Sequence, residues 1–515
     1  MTASVAVSAL LLSSCSSSSP SSSGGKSTRS QTLIIAENEP PATFDPVQAD
    51  NSTVDEVVLP AYETLVKFDD SGKLVAGLAT EWTTSADGKS IAVTLRDNVK
   101  FHDGAKLTAT DVKYTLDRVK KINIGVAALI GAYVSTTVTD PTHLTINLGA
   151  PSGPFTSALS RVYIVNSALV QKNAGSDDGQ KWLATNDAGS GPYELKKYAA
   201  NQEADFTQYS SYWQGFSGQA KQVQFKYLSS AATERSALTN QDVDMAMDID
   251  PSDWATFSSN SAYVVDKANT NVMLYVFFKM QGGQTSNKLL RQAISYAYNY
   301  QQHVSDILKG AGQLAKGVLP SGMQCYDPNV EQPTYNLTKA KSLLAQSGLT
   351  NVKLTMTYLK ATAEMEQSAT LLQSALKQIG ITLNLKAITY PQYVDEAKTN
   401  ATTPDLGMIY AFPTFPDPDS IMYQNFDSKF INSGQNWGGY KNPTVDALVQ
   451  KAQKLSDINA RCDLYNQAEA AVVADTPTIN ISNPKYVTIY NKRLSGYKYE
   501  AAHHQTVDVY RIKVS

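Results

Sequence analysis

Ile91, Val93 and Leu95 alternate with polar neighbours, which places them on one face of an extended segment and predicts a half-buried strand. Asp103-Gly104 then supplies a turn. Thr108, with Asp111 three positions on, fits a helix N-cap, after which Val112, Leu116 and Val119 recur at helical spacing. A clearer block lies later in the chain. Val352, Leu354, Met356 and Tyr358 alternate as a strand, and residues 364–379 put Met365, Leu372, Leu376 and Ile379 on one helical face. Gly380 marks the helix stop, and Ile381, Leu383 and Leu385 alternate again. Such a strand–helix–strand crossover favours parallel pairing. Residues 335–348 predict a helix with Ala340, Leu343 and Leu344 inward, closed by Gly348. Nearer the start, residues 32–36 read as a strand and 38–46 as a proline-rich loop ending in Asp45-Pro46. Gly189-Ser190-Gly191-Pro192-Tyr193 reads as a tight connection before a strand over 194–198.

These patterns extend over 515 residues, too many for one core, so two or three domains are expected. A hydrophobic share of 42% can fill them. The net charge of −3 leaves no basic stripe for nucleic acid. The cysteines are Cys15, Cys325 and Cys462, without a Cys-x-x-Cys pair, which excludes a zinc ribbon or thioredoxin-like motif. Cys325 and Cys462 form a disulfide if exported and close enough, or stay as two buried thiols. The apolar run over residues 5–12 is too short to span a bilayer. It ends in Leu12-Ser13-Ser14-Cys15, which resembles a bacterial lipobox, although no Lys or Arg precedes it. Residues 1–14 therefore read as a signal peptide, Cys15 as the lipidated residue and the serine-rich 15–30 as a tether. An ordinary signal with a chance cysteine is the alternative. No His-Glu-x-x-His, Gly-x-Ser-x-Gly or Ser-x-x-Lys set occurs with its partner motifs. Among the five histidines, the neighbours His503 and His504 are expected on opposite faces of a surface strand. No metal site and no cofactor are expected.

The run Leu95-Arg96-Asp97-Asn98-Val99-Lys100-Phe101-His102-Asp103-Gly104, continuing to Val112, strongly resembles a signature of one family. That family is the cluster 5 extracytoplasmic solute-binding proteins of ABC importers, the peptide, dipeptide and nickel group. Matching pieces recur in order: Tyr62-Glu63-Thr64-Leu65, Leu78-Ala79-Thr80-Glu81-Trp82, the Gly189 to Tyr193 element, Tyr212-Trp213, Tyr335 to Leu344 and Pro416-Asp417-Pro418-Asp419. The resemblance covers nearly all of the chain after the tether. It implies an α/β, two-lobed fold of the type II periplasmic-binding-protein kind with an extra inserted α+β domain. Residues 31–61, 182–269 and 486–515 would form lobe I, 62–181 the inserted domain and 270–485 lobe II. It further implies a monomeric receptor, lipid-anchored on the extracytoplasmic face or periplasmic. The receptor would capture a small solute by hinge closure and deliver it to the permease's transmembrane subunits. Oligopeptide is the first expectation for the cargo; an oligosaccharide, a metal chelate or a hydrolase role are the alternatives.

The same resemblance points to site residues. In peptide-binding relatives a carboxylate ahead of Pro416-Asp417-Pro418 receives the peptide's α-ammonium. The aligned residue here is Thr414, which has no charge to offer it. Tyr410 and Phe412 flank Ala411, where the family has tryptophan, and either stack on ligand or fill space beneath the hinge. Asp417 either contacts ligand or, with Asp419, starts a helix. Asp50 and Asn51 follow Asp45-Pro46, where relatives place cleft residues. Trp437 and Tyr440, on either side of Gly438-Gly439, are further aromatic candidates.

Overall fold

The computed structural model describes residues 31–360, 362–433, 435–503 and 506–515. The signal peptide, Cys15, the tether and His504 lie outside the described residues.

The strand Thr478–Asn491 organises a continuous path of strands. On one side of it run Met273–Phe278, Leu406–Ala411, Lys353–Leu359 and Thr382–Ile388, the sheet of lobe II. On the other run Met245–Ala246, Thr32–Glu37, Gln222–Tyr227, Glu203–Gln208 and Tyr193–Ala199, the sheet of lobe I. The central strand serves both because it is long. Residues 478–482 pair with Met273–Phe278, and residues 485–491 pair with Tyr263–Asn269, in both cases antiparallel. The chain therefore crosses between lobes near 270–272 and 483–485. There Thr270 Oγ1 donates to the Pro484 carbonyl at 2.6 Å, and Asn483 Nδ2 to the Val272 carbonyl at 3.0 Å.

Lobe II is sealed on both faces of its sheet, which is why Met273–Phe278 is apolar at every position rather than alternately. Leu274, Val276 and Phe278 join a cluster with Leu290, Ile294 and Leu372, while Met273, Tyr275 and Phe277 join one with Tyr465 and Val472. Lys353–Leu359 and Thr382–Ile388 pair in parallel around the helix Ala363–Gln378, as the crossover pattern requires. In the helix Leu337–Gln346 only Ala340 is sealed; Leu343 and Leu344 are half-buried.

The inserted domain carries its own antiparallel sheet, in the order Ala79–Thr84, Ser90–Leu95, His143–Leu148, Tyr133–Val138. Ile91, Val93 and Leu95 are buried, and the helix Ala109–Ile122 covers that core with Val112, Leu116 and Val119. Thr108 starts the helix through a capping box, its N–H and hydroxyl both donating to Asp111 Oδ2 at 2.9 Å. The turn before it holds Gly104 at φ +88°, a conformation that favours glycine.

Cys325 and Cys462 form a disulfide, with Cα atoms 4.9 Å apart and a separation of 137 positions in sequence. It fastens the 325 loop to the helix Ile458–Asp475. Closing so long a loop removes unfolded-chain entropy worth up to about 5 kcal/mol. Reduction, or the pair Cys325→Ser and Cys462→Ser, is expected to lower Tm by several degrees. Melting curves with and without reductant check this, and superimposable curves would refute it.

Candidate functional site

A cavity of about 220 Å³ lies where the lobes face each other. Its walls include Asp50 and Ser52 of lobe I, Arg161 of the inserted domain, Phe412 and Thr414 of lobe II, and Ala502 of the C-terminal tail.

On the lobe I side, Asp45 caps the short turn Pro46–Gln48 by accepting from the Val47 N–H at 3.1 Å. Its carboxylate is gripped by both terminal nitrogens of Arg118, at 2.9 and 2.6 Å. Gly125 of the inserted domain presses on the same loop at φ +56°, and a Cβ there would stand 2.1 Å from the Val47 carbonyl oxygen. The loop is thus held so that Asp50 stands at the cavity rim. The surrounding protein partly desolvates its carboxyl and raises its pKa even though its surface is exposed. Asn51 is a cap: its Oδ1 accepts from the Thr53 N–H at 3.0 Å and starts the helix Ser52–Val58.

The floor is a buried charge cluster. Arg161, 4% exposed, donates from Nη1 to Asp55 Oδ2 at 2.5 Å and from Nη2 to the Ala49 carbonyl at 2.5 Å. Tyr163 donates to Asp55 Oδ1 at 2.6 Å, and His503 Nδ1 lies 2.8 Å from Asp55 Oδ2. Burial alone would push the Asp55 carboxyl up. Arg161, His503 and Tyr163 outweigh it and hold the group at about 2. The Arg161 Nε–H has no hydrogen-bond partner. His503 is therefore not the surface strand residue its sequence suggested. It sits buried in a turn of the tail, drawn in by a carboxylate 448 residues away.

On the lobe II side, the strand Leu406–Ala411 ends and the chain turns through Phe412 and Thr414. Thr414 is half-buried, and its Oγ1 is sealed from solvent without a partner. Phe412 is 44% exposed and packs on Tyr410, with ring centroids 5.6 Å apart. Tyr410 itself does not wall the cavity; its hydroxyl donates to Glu364 Oε2 at 2.5 Å. Asp417 is also outside the cavity. It is 1% exposed, takes both terminal nitrogens of Arg461 at 2.7 and 2.6 Å, and accepts from the N–H of Asp419, the first residue of the helix Asp419–Phe426. Of its two readings the structural one holds, because a buried guanidinium occupies both carboxylate oxygens. Tyr440 is a core residue, 2% exposed, donating to Asp475 Oδ2 at 2.8 Å. Trp437 packs edge-on against Tyr393 at 5.0 Å in a separate crevice of lobe II.

The cavity therefore unites Asp50, Phe412 and Thr414, and adds four residues that sequence reasoning missed: Ser52, Arg161, Pro413 and Ala502. Arg161 left a signal, being the one charge in the apolar run over 158–165. A buried charge of that kind needs a partner. Ser52 and Ala502 left none. A larger cavity of about 310 Å³ lies beside Tyr163 and His503. Its walls are already paired internally: Glu63 accepts from Ser190, Tyr212 and Trp213, and Arg511 binds Asp70, Glu500 and Asp508. Among the described residues no grouping of His, Cys, Asp and Glu could hold a metal ion, and no helix is long and apolar enough to cross a membrane.

Residues 73–433 match the model of the bacterial extracellular solute-binding proteins, family 5, middle region. The probable D,D-dipeptide-binding periplasmic protein DdpA of Escherichia coli is 28% identical over 486 residues, spanning 93% of each chain. The dipeptide-binding protein of the same organism is 24% identical, spanning 92% of each. Among solved structures, a putative peptide-binding protein AppA from Clostridium difficile superposes with a TM-score of 0.82 at 22% identity, covering 94% of this chain and 100% of that one. NikZ from Campylobacter jejuni in complex with Ni(L-His) gives 0.80 at 23% identity, covering 94% and 99%.

Arg161→Met would leave Asp55 buried without its main counter-charge. It is expected to cost about 3–5 kcal/mol, read from denaturant unfolding; a loss below about 1 kcal/mol would remove the cluster from its structural role. Because Asp55 titrates lower folded than unfolded, its contribution is fully present above about 4 and is lost as pH falls through about 2. Asp55→Asn should flatten the stability–pH curve in that window, and an unchanged slope would refute the pairing.

Proposed function

This chain belongs to the family 5 bacterial extracellular solute-binding proteins, and from that premise we propose that its cargo is a peptide, held between the lobes by Asp50, Arg161 and Thr414. The carrying observation is the pair of unpartnered polar groups at the cavity wall, the Arg161 Nε–H and Thr414 Oγ1. A buried polar group without a partner is costly. A peptide, with a carbonyl or carboxylate for the arginine and an amide for the threonine, satisfies both at once. Asp50, on the opposite lobe, is the carboxylate available to an α-ammonium. Phe412, exposed at the rim, offers an apolar face to a side chain.

The protein works by closure and release rather than turnover. Ligand contacts made to both lobes are complete only when the lobes meet, so ligand shifts the population toward the closed form. The paired crossovers near 271 and 484 are where the backbone must bend, since elsewhere the lobes are continuous sheet. The closed form is handed to the permease of an ABC importer. Anchoring through a lipid on Cys15 keeps a monomeric receptor at the extracytoplasmic face, near that permease.

Peptides of two to five residues at a hundred times Kd are expected to stabilise the fold by about 2.7 kcal/mol, visible as a thermal shift. Stabilisation only by sugars or metal chelates would overturn the peptide reading. Thr414→Asp restores a carboxylate in lobe II and is expected to tighten free-amine peptides about tenfold. Equal calorimetric affinity in both proteins would remove Thr414 from the site.

A further inference from the structure

Next to the interlobe cavity lies a smaller one of about 140 Å³, and Ser52 borders both. Four carboxyl groups line the smaller pocket, those of Glu37, Glu39, Glu56 and Asp248, and no Lys, Arg or His does. Tyr486 completes an aromatic wall. Glu37 is 7% exposed and Glu56 3%, and each keeps an Oε1 with no donor. Behind them Glu234, fully buried, accepts from the Asp248 N–H at 3.1 Å and has a further unpartnered oxygen. Outside the cluster, Asp55 raises Glu56 further, and the carboxyls in turn raise the hydroxyls of Tyr227 and Tyr486; none of these three groups is a cation.

Elsewhere buried carboxylates are held in two ways: Glu63, Asp111 and Glu469 accept from neutral hydroxyl or N–H donors, and others are charge-paired. Asp45, Asp55 and Asp417 are each buried against an arginine. The acid pocket has no such counter-charge, and burial first, then mutual repulsion, raises its members. Glu56 and Glu234 reach about 8 and Asp248 about 6, while Glu37 rises well above the carboxylate range and hydrogen-bonds with Glu56. Clustered buried carboxyls destabilise a fold and contribute nothing that glutamine would not. They make sense where a cation completes them.

We propose that this pocket is a subsite for an organic cation, a primary ammonium or guanidinium on a side arm of the ligand held in the cleft. The inference rests on the peptide reading above and narrows it to peptides with a lysine- or arginine-like side chain. Several features fit. Its volume is close to that of a cavity of about 150 Å³ that accommodates benzene, so it holds a side-chain head rather than a whole ligand. It shares the wall residue Ser52 with the interlobe cavity. The acids do not form a metal site among the described residues, whereas the N–H donors of an ammonium or guanidinium reach several oxygens at hydrogen-bond distance. An entering cation displaces the protons the acids hold near neutral pH, so binding releases protons.

The test is calorimetry on the full chain with two tripeptide series, identical except for lysine or its uncharged near-isostere norleucine at each position in turn. The expected result is at least about tenfold tighter binding of one lysine peptide, with proton release seen as a buffer-dependent heat. In Glu37→Gln/Glu56→Gln the preference should fall to within about twofold. That variant should melt no lower than the parent, since it replaces two buried carboxyls that are already protonated near neutral pH by neutral amides of similar shape; Asp248→Asn serves as the second variant. Equal affinity of the two series at every position would overturn the proposal and leave the peptide reading standing. If neither series binds, the peptide reading fails, and butylammonium and agmatine decide the subsite alone. Stabilisation of the parent but not the variants upholds it, and no stabilisation overturns it.

Discussion

Everything else in the molecule hangs on one strand serving two sheets. Backbone groups inside a protein must be paired, and Thr478–Asn491 meets that requirement in both lobes at once, first against Met273–Phe278 and then against Tyr263–Asn269. A strand so shared cannot slip in one lobe without breaking the ladder in the other. It fixes the register of each lobe and leaves only the short stretch 483–484 between the two ladders. The cavity between the lobes follows from this geometry, because the loops that wall it are the ends of elements the strand holds in place.

Those loops are set by buried ion pairs between segments far apart in sequence. Arg118 reaches Asp45, Arg161 reaches Asp55 and Arg461 reaches Asp417, each within 2.9 Å. Such pairs add little net stability, since desolvating both partners roughly offsets their attraction. Their value is positional: losing one partner strands a buried charge, so the loop cannot wander. The acid pocket beside the cleft differs from these pairs in gathering four carboxyl groups around one cavity with no cation in its lining.

Much of the scaffold was legible in the chain. The alternation at Ile91, Val93 and Leu95, the capping pair Thr108 and Asp111, and the crossover from Val352 to Leu385 all fold as their periodicity requires, because local hydrogen bonding and one buried face decide them. The site was legible only in part. Asp50, Phe412 and Thr414 do meet at one cavity, whereas Asp417, Trp437 and Tyr440 pack inside lobe II. An aspartate or an aromatic beside a turn has the same local pattern whether it faces ligand or core. What separates them is a partner such as Arg461 or Asp475, which sequence proximity does not reveal.

The sequence by itself determined the class of fold and the family, since both are written in short-range periodicity and in ordered motifs spread along the whole chain. Tertiary structure alone decided that Cys325 meets Cys462, that His503 is drawn beneath the cleft by Asp55, and that Glu37, Glu56 and Asp248 converge without a counter-charge. The reason is common to all three. Burial and charge pairing act through space between residues separated by up to hundreds of positions, and only the closed packing of the lobes brings them within reach.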